Sequence, residues 1–269
     1  MKLGLFGRPV AHSFSPRLFA RLARLLESPI EYAAVDVAPG ALPEALASAR
    51  ARGWRGANVT IPYKLDAAAL CARLTPQARV LGAVNVLRFE KSRVVGHNTD
   101  GEGLVDALKR AGVSVRGKRA LVFGAGGAAR AAAWALAKGG ARSVRVSNRT
   151  ASTARKLARD LAAAFPRTAF SAGRPNQADI WINATPLGQK GRPDLSPADA
   201  APGAPAAAVD LVYGRRTPFQ RQAAALGARV QDGGAMLVYQ ALRAWEFWDK
   251  PLGPARRARL AETLIKEIA

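Results

Sequence analysis

The chain is short of cysteine, histidine, aromatics and acidic charge, and each shortage removes a class of function. Its 269 residues hold one cysteine, Cys71, so an internal disulfide framework is excluded and a reducing compartment, the cytoplasm, is expected. No Cys-His pairing surrounds Cys71, which reads as a small buried apolar residue rather than a catalytic thiol. With only His12 and His97 beside it, a zinc site of His and Cys is not expected, and no metal is assigned. No apolar run approaches the roughly 18 residues of a membrane span. The N-terminus passes straight into Lys2-Leu-Gly-Leu-Phe-Gly7 without a signal-peptide pattern, so a soluble protein is expected. Acidic residues number 19 against 41 Lys and Arg, a net charge of +22 that attracts polyanions. The arginines are scattered over nearly every helix and loop and aromatics make up 7%, which speaks for a basic surface and against a nucleic-acid reading face.

Apolar residues are plentiful. At 49% hydrophobic content the chain can bury a sizeable core, and its length suggests two domains. The stretch Arg119-Ala-Leu-Val-Phe-Gly-Ala-Gly-Gly-Ala-Ala-Arg-Ala-Ala-Ala-Trp-Ala-Leu136 reads as a buried parallel strand, a glycine turn and an alanine-rich helix. Gly124, Gly126 and Gly127 permit the turn and let a pyrophosphate approach the backbone, where free amides and the positive helix end stabilise its charge. Ala128, Ala129 and Ala131 keep the helix slim against the sheet. A second strand, Ser143-Val-Arg-Val-Ser147, follows at the βαβ distance and ends in Asn148-Arg149-Thr150. An acidic residue in this adenine-side position hydrogen-bonds the ribose of NAD, whereas a guanidinium favours a 2′-phosphate. Arg149 therefore points to NADP.

Taken in order, the chain opens with a strand at Lys2–Phe6 and a helix reaching about Leu26, begun at Ser15-Pro16. Ser15 can cap the helix while Pro16 takes its first position. Ser13 and Ser15 can equally donate together to a small anion such as a carboxylate. Another βα unit, Glu31–Val37 and about Ala41–Arg52, precedes Gly56-Ala-Asn-Val-Thr-Ile-Pro-Tyr-Lys64, where a strand ends, Pro62 breaks pairing and a helix begins near Lys64 or Leu65. Lys64 taken alone is a solvated lysine at a loop-helix junction. A hairpin around Glu90–Arg93 brings the chain to His97-Asn-Thr-Asp100, and a helix runs from about Gly103 to Ala111. Asn85 and Asp100 fall at strand ends, and Asp100 can also cap that helix. Beyond Thr150 come a helix (Ser152–Ala164), a strand (Asp179–Asn183), a Pro- and Ala-rich loop (Gly191–Ala206), a strand (Ala207–Leu211), a helix (about Phe219–Leu226) and two final helices, about Met236–Phe247 and Pro254–Glu267.

Gly7-x-Pro9-x-x-His12-Ser13-x-Ser15-Pro16, Asn58-Val-Thr60-x-Pro62-x-Lys64, Gly82-Ala-Val-Asn85 and Gly96-x-Asn98-Thr99-Asp100-Gly101 are joined by Gly124-Ala-Gly-Gly-Ala-Ala129, Asn148-Arg-Thr150, Asn183-Ala-Thr185 and Gly233-x-x-Met236-Leu-Val-x-Gln240-Ala241. In this order, over essentially the whole chain, the sequence resembles the shikimate dehydrogenase family. The resemblance implies an α/β fold: an N-terminal α/β substrate domain, residues 1–100 completed by C-terminal helices in 233–269, and a Rossmann-type NADP-binding domain, residues 101–232, with a central cleft. It implies an NADP-dependent oxidoreductase of aromatic amino acid biosynthesis that reversibly reduces 3-dehydroshikimate to shikimate. Lys64 and Asp100 become catalytic, and Ser13, Ser15, Thr60, Asn85, Tyr213 and Gln240 bind substrate. Gly124, Ala125, Gly126, Gly127, Ala128, Asn148, Arg149, Thr150, Thr185, Gly233 and Met236 hold the cofactor. The expected partner is a small molecule, with no specific nucleic acid and no membrane, for a monomer or homodimer.

The sequence departs from the family pattern at Phe19, where a histidine often stands, at Pro186 after Thr185, at Tyr213-Gly-Arg-Arg-Thr-Pro218, which lacks the usual proline, and at Thr153, where many NADP users place a second basic residue. Arg155, further along the same helix, is the candidate to replace it. The alternatives are a quinate/shikimate dehydrogenase of broader substrate or cofactor range and a non-catalytic NADP- or nucleic-acid-binding protein. Intact Lys64 and Asp100 argue against the latter.

Overall fold

A computed structural model describes residues 1–268, which divide into two compact units. The first comprises Met1–Thr99 and Val238–Glu267, and the second runs from Asp100 to Leu237 and includes Ile268.

The first unit contains β1 (Lys2–Gly7), α1 (Ser15–Leu25), β2 (Glu31–Asp36), α2 (Leu42–Ala51), β3 (Gly56–Val59), α3 (Lys64–Ala69), β4 (Arg73–Leu74), α4 (Pro76–Leu81), β5 (Val86–Phe89) and β6 (Val94–His97). Its sheet has the order β2-β1-β3-β5-β6-β4. β1 is parallel to both β2 and β3, whereas β5 is antiparallel to β3 and β6. This arrangement brings the carboxyl ends of β1, β3 and β6 and the amino end of β5 to one edge of the sheet. The apolar residues of β1 and β3, with Leu42 and Leu46 of α2, close the core around Phe6, Val59 and Leu87, each buried. Burying a side chain of this size contributes roughly 1.5–3 kcal/mol.

The second unit contains α5 (Asp100–Arg110), β7 (Arg119–Phe123), α6 (Gly127–Lys138), β8 (Ser143–Ser147), α7 (Ala151–Ala164), β9 (Ala169–Ala172), β10 (Ile180–Asn183), β11 (Ala207–Asp210), α8 (Pro218–Ala225) and β12 (Arg229–Gln231). Its sheet is parallel throughout, in the order β12-β11-β10-β7-β8-β9. The chain winds from β7 to one side through β8 and β9, then returns to the other through β10, so the direction of winding reverses at β7. Parallel strands covered on both faces need unbroken apolar sequence, and Ala120–Phe123 and Ile180–Asn183 are buried at every position. Helix α6 is buried from Ala129 through Ala137, where small side chains allow close approach to the sheet.

Helix α9 (Gly234–Trp248) crosses the boundary between the units, and α10 (Pro254–Ile265) belongs to the first. In the first unit the Trp248 indole donates to the Leu87 carbonyl at 2.7 Å.

Several local expectations are corrected. Ser15 does not cap α1: it is the first helical residue, Phe14 is the N-cap, and no side chain bonds there as a cap. The hydroxyl of Ser13 instead accepts from the Ser15 amide at 3.3 Å, so the turn is supported from one position further back. The helix expected from about Gly103 begins three residues earlier at Asp100, and the short elements β4, α4, β9 and β12 were not anticipated. They are two to six residues long, too short for a periodic pattern to mark them.

Candidate active site

In the first unit, the edge defined by the strand directions collects the polar residues singled out from the sequence. Ser13 and Ser15 follow β1, Thr60 and Lys64 follow β3, and Asn85 precedes β5. Thr60 is tied to β1 by its amide, which donates to Phe6 at 2.8 Å, and its own carbonyl accepts from Tyr63 at 3.0 Å. That turn delivers Lys64, half-buried, as the first residue of α3, with its carbonyl held by the Val84 amide at 2.7 Å.

Asn85 is the most heavily bonded group on this edge. Its side-chain oxygen accepts from the Thr99 amide at 2.7 Å, and its nitrogen donates to the Thr99 hydroxyl at 2.9 Å and to Gln240 Oε1 at 3.3 Å. Its carbonyl accepts from the Val59 amide at 2.8 Å and from the Asn58 side chain at 3.2 Å. Asn58 in turn accepts from the Tyr32 hydroxyl at 2.8 Å, and Ser15 hydrogen-bonds the same tyrosine. Burial pushes the Tyr32 phenol well above its ordinary range, with the Ser15 bond acting in the opposite direction. Five of these residues, Ser15, Asn58, Asn85, Thr99 and Gln240, are buried, so their orientations are set before any ligand arrives. Sequence motifs held Asn58 and Thr99 without showing their role; Tyr32 carried no signal, because it reads as a strand apolar.

His97 lies on the same edge. Its Nδ1 meets the Thr75 hydroxyl at 2.8 Å and its ring packs on Phe247. Burial, and secondarily the positive charge of Arg243, push its pKa down from 6.5 to about 4, so the ring is neutral near pH 7. Cys71 is half-buried and its thiol is raised by burial to about 12, the state of an inert thiol.

In the second unit the candidates cluster at the carboxyl ends of the parallel strands: Gly124–Ala128 after β7, Asn148–Thr150 after β8, Thr185 after β10, Tyr213 after β11, and Gly233 and Met236 after β12. Such ends, at the point where winding reverses, are where open α/β sheets bind ligands. The three glycines of the turn are not equivalent. Gly124 has φ +107°, and an added Cβ would lie 3.0 Å from the Ala184 carbonyl oxygen, so the backbone itself demands glycine. Gly126 has φ −80°, open to any residue, and a Cβ there would meet nothing within 4 Å. Neither backbone nor packing requires glycine at Gly126, whereas close approach of a ligand would. Gly126 is also the N-cap of the 12-residue α6, where no side chain bonds as a cap, leaving amides to receive an anion.

Asn148 bonds the Thr150 carbonyl at 3.0 Å, and the exposed Arg149 stands between them. Thr185 is fastened to Asn183, whose side-chain oxygen accepts from both its amide, at 2.9 Å, and its hydroxyl, at 2.6 Å. Met236 and Gly233 are buried, Tyr213 is half-buried, and Asp100, 4% exposed, opens α5 as its first residue. No group of three or more His, Cys, Asp or Glu suited to a metal ion occurs among the described residues, and no helix among them is long and apolar enough to cross a membrane.

A parallel sheet with a bare-backbone phosphate turn at its reversal point, accompanied by a second α/β unit with a pre-bonded polar edge, defines a two-unit dinucleotide-binding enzyme. Residues 5–87 match the family described as shikimate dehydrogenase substrate binding domain, and residues 106–189 match shikimate / quinate 5-dehydrogenase. A shikimate dehydrogenase (NADP(+)) of Anaeromyxobacter dehalogenans strain 2CP-1 is 42% identical over 97% of this chain and 94% of its own length. One from Symbiobacterium thermophilum is 38% identical over 96% and 92%. The crystal structure of shikimate 5-dehydrogenase from Thermus thermophilus in complex with NADP(H) and shikimate is 35% identical and superposes with a TM-score of 0.82, covering 98% of this chain and 99% of that one. The chain belongs to the shikimate dehydrogenase family, and by that membership it is an NADP-dependent oxidoreductase.

Proposed function

We propose that this chain reversibly reduces 3-dehydroshikimate to shikimate with NADPH, serving aromatic amino acid biosynthesis. The observation that carries the cofactor side is Gly126, a glycine required by neither backbone strain nor packing, at the uncapped start of α6. The bound nicotinamide supplies hydride. The chain's own residues supply everything else: Gly124–Ala128, Asn148, Arg149 and Thr150 grip the phosphates and adenosine end, with the Arg149 guanidinium on the 2′-phosphate, while Thr185, Gly233 and Met236 complete the cofactor's seat.

Reduction of a ketone needs one proton at the oxygen as the carbon gains hydride. Lys64 donates from its ammonium to the forming alkoxide, and the Asp100 carboxylate acts with it as the second catalytic group. In the opposite direction Lys64 receives the hydroxyl proton while hydride leaves. Ser13 and Ser15 receive the substrate carboxylate, joined by Tyr213. Thr60, Asn85, Asp100 and Gln240 bond the ring hydroxyls. An array of buried amides held by one another is suited to selecting such hydroxyls, because a substrate lacking one leaves a buried group unpaired. The same reading has the enzyme work in the cytoplasm as a monomer or homodimer, which sedimentation of the purified protein would resolve.

The deciding experiment follows NADPH absorbance with 3-dehydroshikimate, then NADP⁺ and NAD⁺ reduction with shikimate and with quinate. Turnover is expected with the NADP and shikimate pair. Faster turnover with quinate or NAD⁺ would select the broader quinate/shikimate reading, and no turnover with any pair would refute the enzymatic one.

A further inference from the structure

Asp210 ends β11 and is completely buried, 0% exposed. Its Oδ1 accepts from Asn183 Nδ2 at 2.9 Å and from the Val212 amide at 3.0 Å. Its Oδ2 accepts from the Thr217 hydroxyl and from Gln220 Nε2 at 3.4 Å. All four donors are neutral. Burial raises this carboxyl above its ordinary range, opposed by the four bonds. Placing a carboxylate here costs more than an apolar residue would, unless its acceptor-only chemistry is used.

That chemistry sets the direction of a chain of hydrogen bonds. An acceptor-only partner obliges Asn183 to turn its NH₂ toward Asp210, which turns its oxygen toward Thr185. There it accepts the Thr185 hydroxyl at 2.6 Å, so the single proton of that hydroxyl is committed inward. The Thr185 oxygen is left with lone pairs only, one of them facing the Leu187 amide at 3.3 Å. We propose that Asp210 is a positioning residue which, through Asn183, fixes the Thr185 hydroxyl as a pure acceptor, so that it meets the cofactor through one of the cofactor's N–H or O–H donors and not through a phosphate oxygen. The proposal rests on the reading of Thr185 as a cofactor contact. The Thr185 amide, a donor only, requires the same orientation of Asn183, so Asp210→Asn acts by offering a weaker, neutral acceptor that holds Asn183, and with it the Thr185 hydroxyl, less firmly.

The test is a double-mutant cycle on the full chain, with NADP⁺ affinity and steady-state constants measured at a temperature where each variant is folded by circular dichroism. Asp210→Asn should weaken NADP⁺ binding and raise its KM by about fivefold to tenfold, the scale of one hydrogen bond, with kcat within about threefold. Thr185→Val should do the same, Thr185→Ser should restore binding, and Asp210→Asn added to Thr185→Val should cost nothing further. Thr185→Val without effect would overturn the cofactor reading of Thr185 and the proposal with it. Thr185→Val weakened but Asp210→Asn unchanged, or the two effects simply adding, would overturn the proposal alone. A fall in thermal stability of Asp210→Asn with unchanged cofactor constants would assign it a structural role and also overturn the proposal.

Discussion

The two units present their functional edges in opposite ways. The first offers side chains that are already bonded to one another: Asn85 alone engages Thr99, Gln240, Val59 and Asn58. The second offers backbone stripped of side chains, at Gly126 and the uncapped start of α6. The difference teaches which ligand each can read. A ring of hydroxyls is distinguished from its neighbours by directional donors and acceptors held at fixed angles, and burial makes a mismatch costly. A pyrophosphate is bound through charge and close approach, which amides and the helix dipole supply without side chains.

Substitutions test this contrast, the largest effect first. Lys64→Ala removes the proposed proton donor from the first unit's edge and should lower kcat about a thousandfold, within the usual range for general acid catalysis, with KM for NADP⁺ little changed. Rapid-quench or steady-state rates check it, and turnover within tenfold of the parent would remove Lys64 from the mechanism.

Acid should strike the first unit through His97. The unfolded imidazole takes up a proton below about pH 6.5, whereas the folded ring resists until about pH 4. The unfolded state therefore binds more protons in that window, and stability that is complete above pH 6.5 is lost as the pH falls toward 4, by about 3 kcal/mol at most. Urea melts at stepped pH should show a flatter profile for His97→Gln than for the parent; parallel profiles would show that the histidine plays no part.

Gly126→Val should leave the fold intact, because its φ suits any residue and the space is open, yet raise KM for NADP⁺ about thirtyfold by filling the approach of the phosphates. Gly124→Ala is the converse control: its backbone is left-handed, so thermal stability should fall by about 1–2 kcal/mol. If both glycines behaved alike, the division between ligand room and backbone need would be wrong. Asn85→Ala should raise KM for shikimate about tenfold while KM for NADP⁺ stays within twofold, so that the two edges separate kinetically. Equal effects on both constants would erase the contrast.

Much of this was legible along the chain. The glycine turn declared itself because strand, turn and helix are local, and Arg149 because it follows the next strand directly. The motif residues of the first unit were legible as a set, but their bonding was not. Ser15 looked like a cap from its place before proline, yet it became helical and turned to Tyr32, 17 positions later in the numbering. Asn85 meets Gln240 across 155 positions, and no local pattern records such a pair. Asp210 stood unmarked within the expected strand Ala207–Leu211, and its four donors come from three segments: Asn183 on the neighbouring strand, Val212 just beyond, and Thr217 with Gln220 at the start of α8.

The sequence by itself determined the elements whose causes lie within a few residues: the apolar strands, the glycine turn, the proline-marked helix starts, and the chemical types placed at strand ends. Tertiary structure alone decided how those types are wired. Parallel winding brought all the carboxyl ends of one sheet together, and the antiparallel β5 brought Asn85 beside Asn58 and Thr99. The physical reason is that a hydrogen bond depends on distance and angle between groups remote in sequence, and burial then makes those few contacts obligatory.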